Sequence, residues 1–190
     1  MEKRIRSYMI EVEIRAKINN KADTQNKLKE IGAVLKKSVH QEDRIFGHEM
    51  FLDENKMIIE GGLSARIRQI DQNIWLEFKE ISRNKGAGIE IKANLDNMEE
   101  GLRFFEKLGF KQAFFVNKQR EVYSLNGFEI CLDDVEQLGS FIEIEKAVIN
   151  QDETEPAKQE CLSLLGKIAP ESEITNKKYG DLMQEILNKK

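Results

Sequence analysis

Charged side chains of both signs recur at every second position in at least six segments of the sequence. They are Glu11, Glu13, Arg15 and Lys17 in the first segment, then the pairs Arg66 and Arg68, Glu77 and Lys79, Glu90 and Lys92, Lys118 and Arg120, and Glu143 and Glu145, with Asp133 in the segment before the last. Successive side chains of a β-strand point to opposite faces of a sheet, so a two-residue period predicts strands. The pattern therefore predicts a sheet that carries ionic groups along one face.

The chemistry of that face depends on where each sign of charge lies. Carboxylates cluster in the first and last of these segments, whereas arginine and lysine dominate the middle ones. Carboxylate oxygens bind Mg²⁺ and Mn²⁺, and arginine recognises phosphate oxygens through two parallel hydrogen bonds. If the strands enclose a tunnel, we expect it to hold a polyphosphate with a divalent metal. An antiparallel sheet with one face in water gives the same alternation, and the period alone leaves both arrangements open.

Apolar periodicity and turn signals predict the elements that position these groups. Strands are predicted at 8–18, 38–47, 49–53, 63–70, 73–80, 88–95, 114–125, 128–134 and 140–148, and helices at 23–37, 97–108, 155–169 and 177–188. Asp23 or Thr24 is the predicted N-cap of the first helix, and Asp96 that of the second. Asn126-Gly127 predicts a tight hairpin. Trp75 is predicted to lie in the apolar layer between strands and helices.

A weak internal repeat appears when the chain is shifted by 77 residues. Leu28 then falls on Phe105, and Ile31-Gly32 falls on Leu108-Gly109. The first helix is expected to bury Leu28, Ile31 and Leu35. Both copies read strand, helix, glycine, strand, which indicates a pseudo-symmetric antiparallel α+β structure.

The composition narrows the class of protein. The chain has 190 residues, which fits one domain over 1–190. No apolar stretch is long enough for a membrane span, the first residues lack the apolar region of a secretory signal, and only two cysteines occur, so a reducing cytoplasm is expected. The net charge of -4 does not favour nucleic acid as a partner. We expect neither a nucleic acid nor a membrane to bind.

Several segments together resemble one family. They are EVEIR at 11–15, QEDRIF, ARIR, WLEFKE, VNKQREVY, LDDVEQLGSFIEIE and TNKKYGDLM. Their order and spacing resemble the CYTH superfamily, also called triphosphate tunnel metalloenzymes, and within it the class IV adenylyl cyclase branch. The resemblance covers about residues 8–185. It implies an α+β fold: an eight-stranded antiparallel β-barrel with a hydrophilic triphosphate tunnel and flanking helices, followed by C-terminal helices at about 155–188.

The resemblance also implies roles for individual residues. Expected ligands of Mg²⁺ or Mn²⁺ are Glu11, Glu13, Asp133, Glu143 and Glu145. Expected triphosphate-binding cations are Arg15, Lys17, Arg66, Arg68, Lys79, Lys118 and Arg120, of which Lys79, Lys118 and Arg120 are also expected to be catalytic. Glu90 matches a tunnel carboxylate that contacts substrate, and Tyr179 resembles a tyrosine that closes the site. Arg15 stands where the signature has lysine, and Lys92 where relatives often carry an acid.

Three functions are compatible with this site. The first is a class IV adenylyl cyclase-like enzyme that converts ATP to cyclic AMP and pyrophosphate. The second is a metal-dependent triphosphatase that hydrolyses inorganic triphosphate, thiamine triphosphate or a nucleoside triphosphate. The third is a non-catalytic sensor of polyphosphate or nucleotide, which the intact carboxylates disfavour. The family also implies a homodimer.

Overall fold

The structure is a computed structural model of the chain, and it describes residues 10–54, 58–59, 62–80 and 90–187, without the side chains of residues 79, 80, 90 and 187. The predicted side-chain roles of Lys79 and Glu90 lie outside this description, as do the residues at 8–9 and 88–89 with which two strands were predicted to begin. No helix in the described ranges combines the length and apolar character that crossing a membrane requires.

The elements form an α+β fold. The strands are β1 (Ile10–Lys17), β2 (Val34–His48), β3 (Leu63–Ile70), β4 (Asn73–Glu80), β5 (Glu90–Leu95), β6 (Phe110–Leu125), β7 (Phe128–Val135), β8 (Gly139–Val148) and β9 (Glu173–Thr175). The helices are α1 (Lys21–Glu30), α2 (Met98–Lys107), α3 (Thr154–Ile168) and α4 (Tyr179–Leu187). These nine described strands form one large antiparallel sheet in the order β5-β4-β3-β2-β6-β7-β8-β1-β9.

The predicted eight-stranded barrel is confirmed only in its coarser features, the α+β class and the large antiparallel sheet. The described strands number nine because the short β9 pairs with the end of β1. The strand order ends at β5 and β9, so the sheet is not closed within the described residues. The chain divides into two compact units: unit 1 comprises residues 1–38 and 119–176, and unit 2 comprises 39–118 and 177–190.

Unit 1 has its own apolar core on one face of β1, β7 and β8. Ile14, Ile130, Ile142 and Ile144 are buried there together with residues of α3 such as Ile168. The antiparallel pairing sets Ile14 opposite Ile144 and Ile144 opposite Ile130. Because side chains alternate along each strand, burying these residues sends their charged neighbours to the other face.

Unit 2 buries a second core between β3, β4 and α2. Ile67 is fully buried and Phe105 nearly so, and the Phe46 and Phe105 rings lie 5.1 Å apart. Gly101 lets α2 approach the sheet closely, since a Cβ atom at this position would lie 2.5 Å from Leu95 Cδ1. The helix therefore packs its apolar side against the face of β3 and β4 that lacks charge.

The first helix is shorter than predicted. It ends at Glu30 instead of 37, and Gly32 follows with a φ of 82°, which lies in the left-handed region that ends helices. Only Leu28 of the predicted apolar stripe is buried, whereas Ile31 and Leu35 are 39% and 52% exposed. Residues 34–37 instead belong to β2.

The predicted helix caps were displaced by a few residues. Asn20 caps α1 by accepting a hydrogen bond from the backbone N–H of Asp23 at 3.2 Å, and Asn97, not Asp96, accepts from the N–H of Glu99 at 2.8 Å. Both elements begin close to the predicted positions. The predicted strand at 49–53 is also wrong, because Glu49–Phe51 forms a short 3₁₀ turn.

Other predictions of local structure are confirmed. Asn126 and Gly127 both have positive φ, at 46° and 84°, as a type I′ hairpin requires. The repeat is visible in the element order, since β1-α1-β2 and β5-α2-β6 follow the same plan. Gly32 and Gly109 end the two helices with φ values of 82° and 81°.

Candidate functional site

The charged residues of unit 1 lie in rows across β1, β8 and β7. Glu13 faces Glu145, which in turn faces Glu129. In the next row, Arg15 faces Glu143, which faces Cys131. We call the set Glu13, Arg15, Arg120, Asp133, Glu143 and Glu145 the carboxylate cluster. The rows place the acids expected to bind metal next to two of the arginines expected to bind phosphate.

Two arginines hold the buried acids of the carboxylate cluster in place. Arg15 Nε donates to Glu143 Oε1 at 2.6 Å, and its Nη2 donates to Glu13 Oε1 at 2.6 Å. Arg120 Nε donates to Asp133 Oδ1 at 2.6 Å, and its Nη2 donates to both Asp133 and Glu143. Burial alone would lower the pKa of Arg120, but the two carboxylates raise it, so this guanidinium stays charged.

Glu145 differs from the other acids of the cluster. It makes no hydrogen bond or ion pair with any described residue. Burial, followed by repulsion from Glu13 and Glu143, raises its pKa to about 7. The cluster thus has more negative charge around Glu145 than its arginines offset.

The donor set of the carboxylate cluster fits a hard divalent cation. Donor atoms of Glu143, Glu145 and Cys131 lie within 4.8 Å of one another, and Glu13 faces Glu145 across the strands. Burial raises the pKa of Cys131 to about 12, so its sulfur stays a neutral thiol and the oxygens are the natural ligands of Mg²⁺ or Mn²⁺. Asp133 is already engaged through both oxygens by Arg120, and its role as a ligand stays a prediction.

Two further predicted residues lie toward the ends of β1. Glu11 is exposed and faces Ala147, one row beyond Glu13. Lys17 faces Phe141, and its ammonium lies 5.9 Å from that ring centroid. Both share the charged face of β1 with Glu13 and Arg15, as the alternation predicted.

Unit 2 carries a second set of ionic residues on β2, β3 and β4. Arg68 donates to both oxygens of Asp43, at 2.6 and 2.8 Å. Arg66 Nε donates to Glu77 Oε2 at 2.8 Å, and its Nη1 lies 3.7 Å from Asp43 Oδ2. We call Asp43, Arg66, Arg68, Trp75 and Glu77 the arginine cluster. It brings the two arginines of the ARIR segment together, as predicted.

Trp75 belongs to the arginine cluster and not to the apolar layer, so the predicted position is wrong. It faces Arg68 across β3 and β4, and its indole N–H donates to Glu77 Oε1 at 2.6 Å. The sequence already indicated this position, because Trp75 and Glu77 are two residues apart and therefore lie on the same face of the strand. The apolar residues Ile74, Leu76 and Phe78 alternate with them and lie on the other face. Those three pack against the core of unit 2 instead.

Lys118 and Tyr179 meet within unit 2. Lys118 is 5% exposed and Tyr179 is 8% exposed, and the lysine ammonium lies 4.9 Å from the tyrosine ring centroid. Gly180 lets the first turn of α4 pack closely against Phe114, because a Cβ atom at this position would lie 3.2 Å from Phe114 Cδ2. The structure therefore brings together the predicted phosphate-binding lysine and the tyrosine of the C-terminal helix.

Burial bears on the two arrangements that the sequence left open, a tunnel and a sheet face in water. Asp133 and Glu143 are 0% and 3% exposed, although both stand on the charged face of their strands. In unit 2, Asp43 and Glu77 are also buried although they too stand on the charged face of their strands. A sheet surface in water would leave such carboxylates exposed, because burying a charge is costly unless it is paired. At these positions the charged faces are withdrawn from bulk water.

The arginine cluster should make the stability of the chain depend on pH. Burial alone would raise the pKa of Asp43, but the hydrogen bonds from Arg68 and the charges of Arg68 and Arg66 outweigh it and lower the pKa. A lowered pKa in the folded state stabilises the fold above the unfolded-state value of about 4, and this contribution is lost as the pH falls below it. Asp43→Asn should lower the free energy of unfolding by about 2 kcal/mol at pH 7.

Urea unfolding at pH 7, 4 and 3 checks this expectation. The difference between the parent chain and Asp43→Asn should shrink as the pH falls, because Asp43 is then protonated in the unfolded chain and folding must release that proton before the ion pairs can form. Asp71→Asn, an exposed position with positive φ, provides the matched control and should leave the pH dependence unchanged. A constant difference at all three pH values would contradict the role of the Asp43 charge.

Two acids were missed as site residues by the sequence analysis. Glu129 faces Glu145 and contributes to its raised pKa. Asp43 pairs with both predicted phosphate-binding arginines of its cluster. Glu129 could have been found from the sequence, because it lies on the same face of β7 as Cys131 and Asp133. The pairing of Asp43, by contrast, depends on the register of β2 with β3.

Comparison with known proteins gives consistent results. The CYTH domain matches residues 9–179. A Methanocaldococcus jannaschii protein named "putative adenylate cyclase" is 33% identical over 159 residues, which are 83% of this chain and 88% of that protein. The PH1012 protein of Pyrococcus horikoshii OT3 superposes with a TM-score of 0.72 and 25% identity over 91% of this chain and 99% of its own.

Another protein shares the fold at lower identity. It is a Hippeastrum protein described as a "putative adenylyl cyclase" that reveals a dominant triphosphatase activity. Its TM-score is 0.60 at 16% identity, over 89% of this chain and 92% of its own. At this identity the likeness concerns the fold.

Proposed function

The chain belongs to the CYTH family, and from this premise we propose that it is a metal-dependent enzyme acting on a triphosphate, with conversion of ATP to cyclic AMP and pyrophosphate as its reaction. The observation that carries the proposal is the burial of charged groups on the sheet. Asp133, Glu143 and Lys118 are at most 5% exposed. A fold gains nothing in stability from burying so many charges, so their retention favours a role in binding a charged ligand.

The proposal requires the two clusters to serve one substrate. In it, the carboxylate cluster and the arginine cluster line a single closed tunnel of a one-domain protein, and Tyr179 of α4 lies at its edge. Arg66 and Arg68 then bind phosphate oxygens, for which each guanidinium offers five N–H donors. Lys118 and Arg120 stabilise the pyrophosphate that leaves. Lys79 and Glu90 are assigned to the same tunnel on the resemblance alone.

The carboxylate cluster is the proposed metal site. Glu13, Glu143 and Glu145 would hold Mg²⁺ or Mn²⁺, which when bound neutralises phosphate charge and lowers the pKa of the attacking hydroxyl. Arg15 positions Glu143 and Glu13 through its two hydrogen bonds, and Arg120 positions Glu143 from the other side. These contacts orient the carboxylates, as the partners of metal ligands generally do.

The reaction needs no covalent intermediate with the protein. The ribose 3′-oxygen attacks the α-phosphorus, the bond from that phosphorus to the β-bridging oxygen breaks, and the hydroxyl proton passes to solvent. Positioning and charge stabilisation supply most of the catalysis in such transfers. The two cysteines are buried and their pKa values are raised, so neither has the character of a nucleophile.

A triphosphatase is the second candidate. The same cations would hold the same triphosphate, and water would attack the terminal phosphorus. The description of the Hippeastrum protein supports this candidate, because it assigns a dominant triphosphatase activity to a chain of the same fold. The two reactions differ in which phosphorus meets the nucleophile and in what holds the non-phosphate end.

A product assay separates the candidates. The purified chain is incubated with ATP or with inorganic triphosphate, in Mg²⁺ and separately in Mn²⁺. Cyclic AMP and pyrophosphate are expected from ATP, whereas orthophosphate from either substrate would identify a triphosphatase. Absence of all products under every condition would contradict both candidates and leave a binding role.

A further inference from the structure

Trp75 supports an inference about the substrate that rests on the proposed function. We propose that the Trp75 indole is a platform on which a nucleobase stacks, so that the substrate is a nucleoside triphosphate and not inorganic triphosphate. Nothing in the chemistry of phosphate binding calls for an indole among paired arginines and carboxylates. Trp75 is the single tryptophan of the chain, and it stands on the charged face of β4.

The position of Trp75 suits the non-phosphate end of a substrate. It lies directly opposite Arg68, and Arg66 lies opposite Glu77, two residues farther along β4. Neighbouring strands are about 5 Å apart, so a ring stacked on Trp75 lies beside both arginines that would hold phosphate oxygens. One ligand can therefore contact the ring and the cations together.

The indole is held in a fixed orientation. Its N–H donates to Glu77 Oε1 at 2.6 Å, while the other oxygen of Glu77 accepts from Arg66. Glu77 thus couples the plane of the ring to the position of a phosphate-binding arginine. A ring that is already oriented loses little conformational freedom when a ligand stacks on it.

One face of the indole is covered by the side chain of an exposed lysine. The Lys92 ammonium lies 4.1 Å from the ring centroid, and the Lys92 side chain is 56% exposed. The ring face beneath Lys92 therefore points toward the accessible side of β4 and β5. An ammonium is held weakly at an exposed ring and base stacking is stronger, so a nucleobase can replace the lysine there. The Lys92 ammonium also lies 4.0 Å from Glu77 Oε1, so the ring is not its sole interaction partner.

Kinetics with two substrates test the platform. The KM for ATP should rise about tenfold in Trp75→Leu, while the KM or inhibition constant for inorganic triphosphate stays within about twofold. Trp75→Phe keeps an aromatic face but loses the N–H group, and it should retain an ATP KM within about threefold of the parent. This pair of variants separates stacking from the hydrogen bond to Glu77.

Tryptophan emission of the parent chain gives a second readout that needs no variant. Rapid mixing with ATP should quench the emission much more than mixing with inorganic triphosphate does. If Trp75→Leu raises the constants for ATP and for inorganic triphosphate equally, or if both ligands quench the emission equally, Trp75 is not a stacking platform. The proposed function would be unaffected by that result. Turnover of inorganic triphosphate but not of ATP would also overturn it. Failure of the parent chain to bind or turn over either compound would refute the proposed function and the platform with it.

Discussion

Replacing Arg120 with methionine should lower the free energy of unfolding by about 3–5 kcal/mol. The change leaves Asp133 and Glu143, which are 0% and 3% exposed, without the guanidinium that donates to both. Removing one member of a buried ion pair is costly because the remaining charge is neither solvated nor compensated. Urea unfolding at pH 7 measures the loss.

A double variant makes the expectation specific to the ion pair. Adding Asp133→Asn to Arg120→Met removes one of the two carboxylates that lost this guanidinium and should recover about 1–2 kcal/mol; the other, Glu143, keeps its ion pair with Arg15. Arg103→Met, at an exposed position of α2, controls for the loss of an arginine and should change stability by less than about 0.5 kcal/mol. A loss below about 1 kcal/mol in Arg120→Met, well short of the range for a broken buried pair, would show that Arg120 does not stabilise the buried carboxylates.

Glu13→Gln should weaken Mn²⁺ binding at least about tenfold and reduce turnover at least about a hundredfold. The amide keeps the shape of the side chain and can still meet Arg15, but it removes one of the negative charges around Glu145. Calorimetric titration of the chelator-treated protein with Mn²⁺ measures the affinity apart from activity. Glu145→Gln should behave in the same way, because Glu145 faces Glu13 in the same row.

The matched control for the metal site is an exposed acid of the same unit. Glu171→Gln changes the net charge by the same amount at an exposed position before β9, and its Mn²⁺ affinity should equal that of the parent chain. If Glu13→Gln binds Mn²⁺ as tightly as this control does, Glu13 is not a ligand and the proposed metal site is misplaced.

Most of the correct predictions rest on the alternation of apolar and charged residues along the strands. β1 alternates so strictly that its two faces could be assigned before any partner strand was known, and the register with β8 places Glu13 and Arg15 where acids face them. The C-terminal helices were also close, with α3 at Thr154–Ile168 against a predicted 155–169. Strong periodicity over a whole element therefore predicts its type and its faces reliably, whatever the element later packs against.

The errors have physical causes that the sequence hides or only partly shows. Ile31 and Leu35 continue a helical spacing, yet Gly32 adopts a left-handed conformation and ends the helix before them. The burial of Asp133 and Glu143 could not be predicted, because alternation marks a charged face without telling what covers it. The partners of Asp43 depend on register, which residues 39–48 do not encode alone. Trp75 was predicted wrongly although the signal was present, since its position two residues before Glu77 already indicated the charged face of the strand.

The pairing of β1 with β8 has a consequence for the order in which the chain is made. Ile10 faces Val148, so β1 stays without this neighbour until more than a hundred further residues have been made. Residues 39–118 of unit 2, by contrast, form a nearly continuous stretch and can begin to fold during synthesis. The apolar face of β1 thus waits many seconds for its partner strand at ordinary elongation rates.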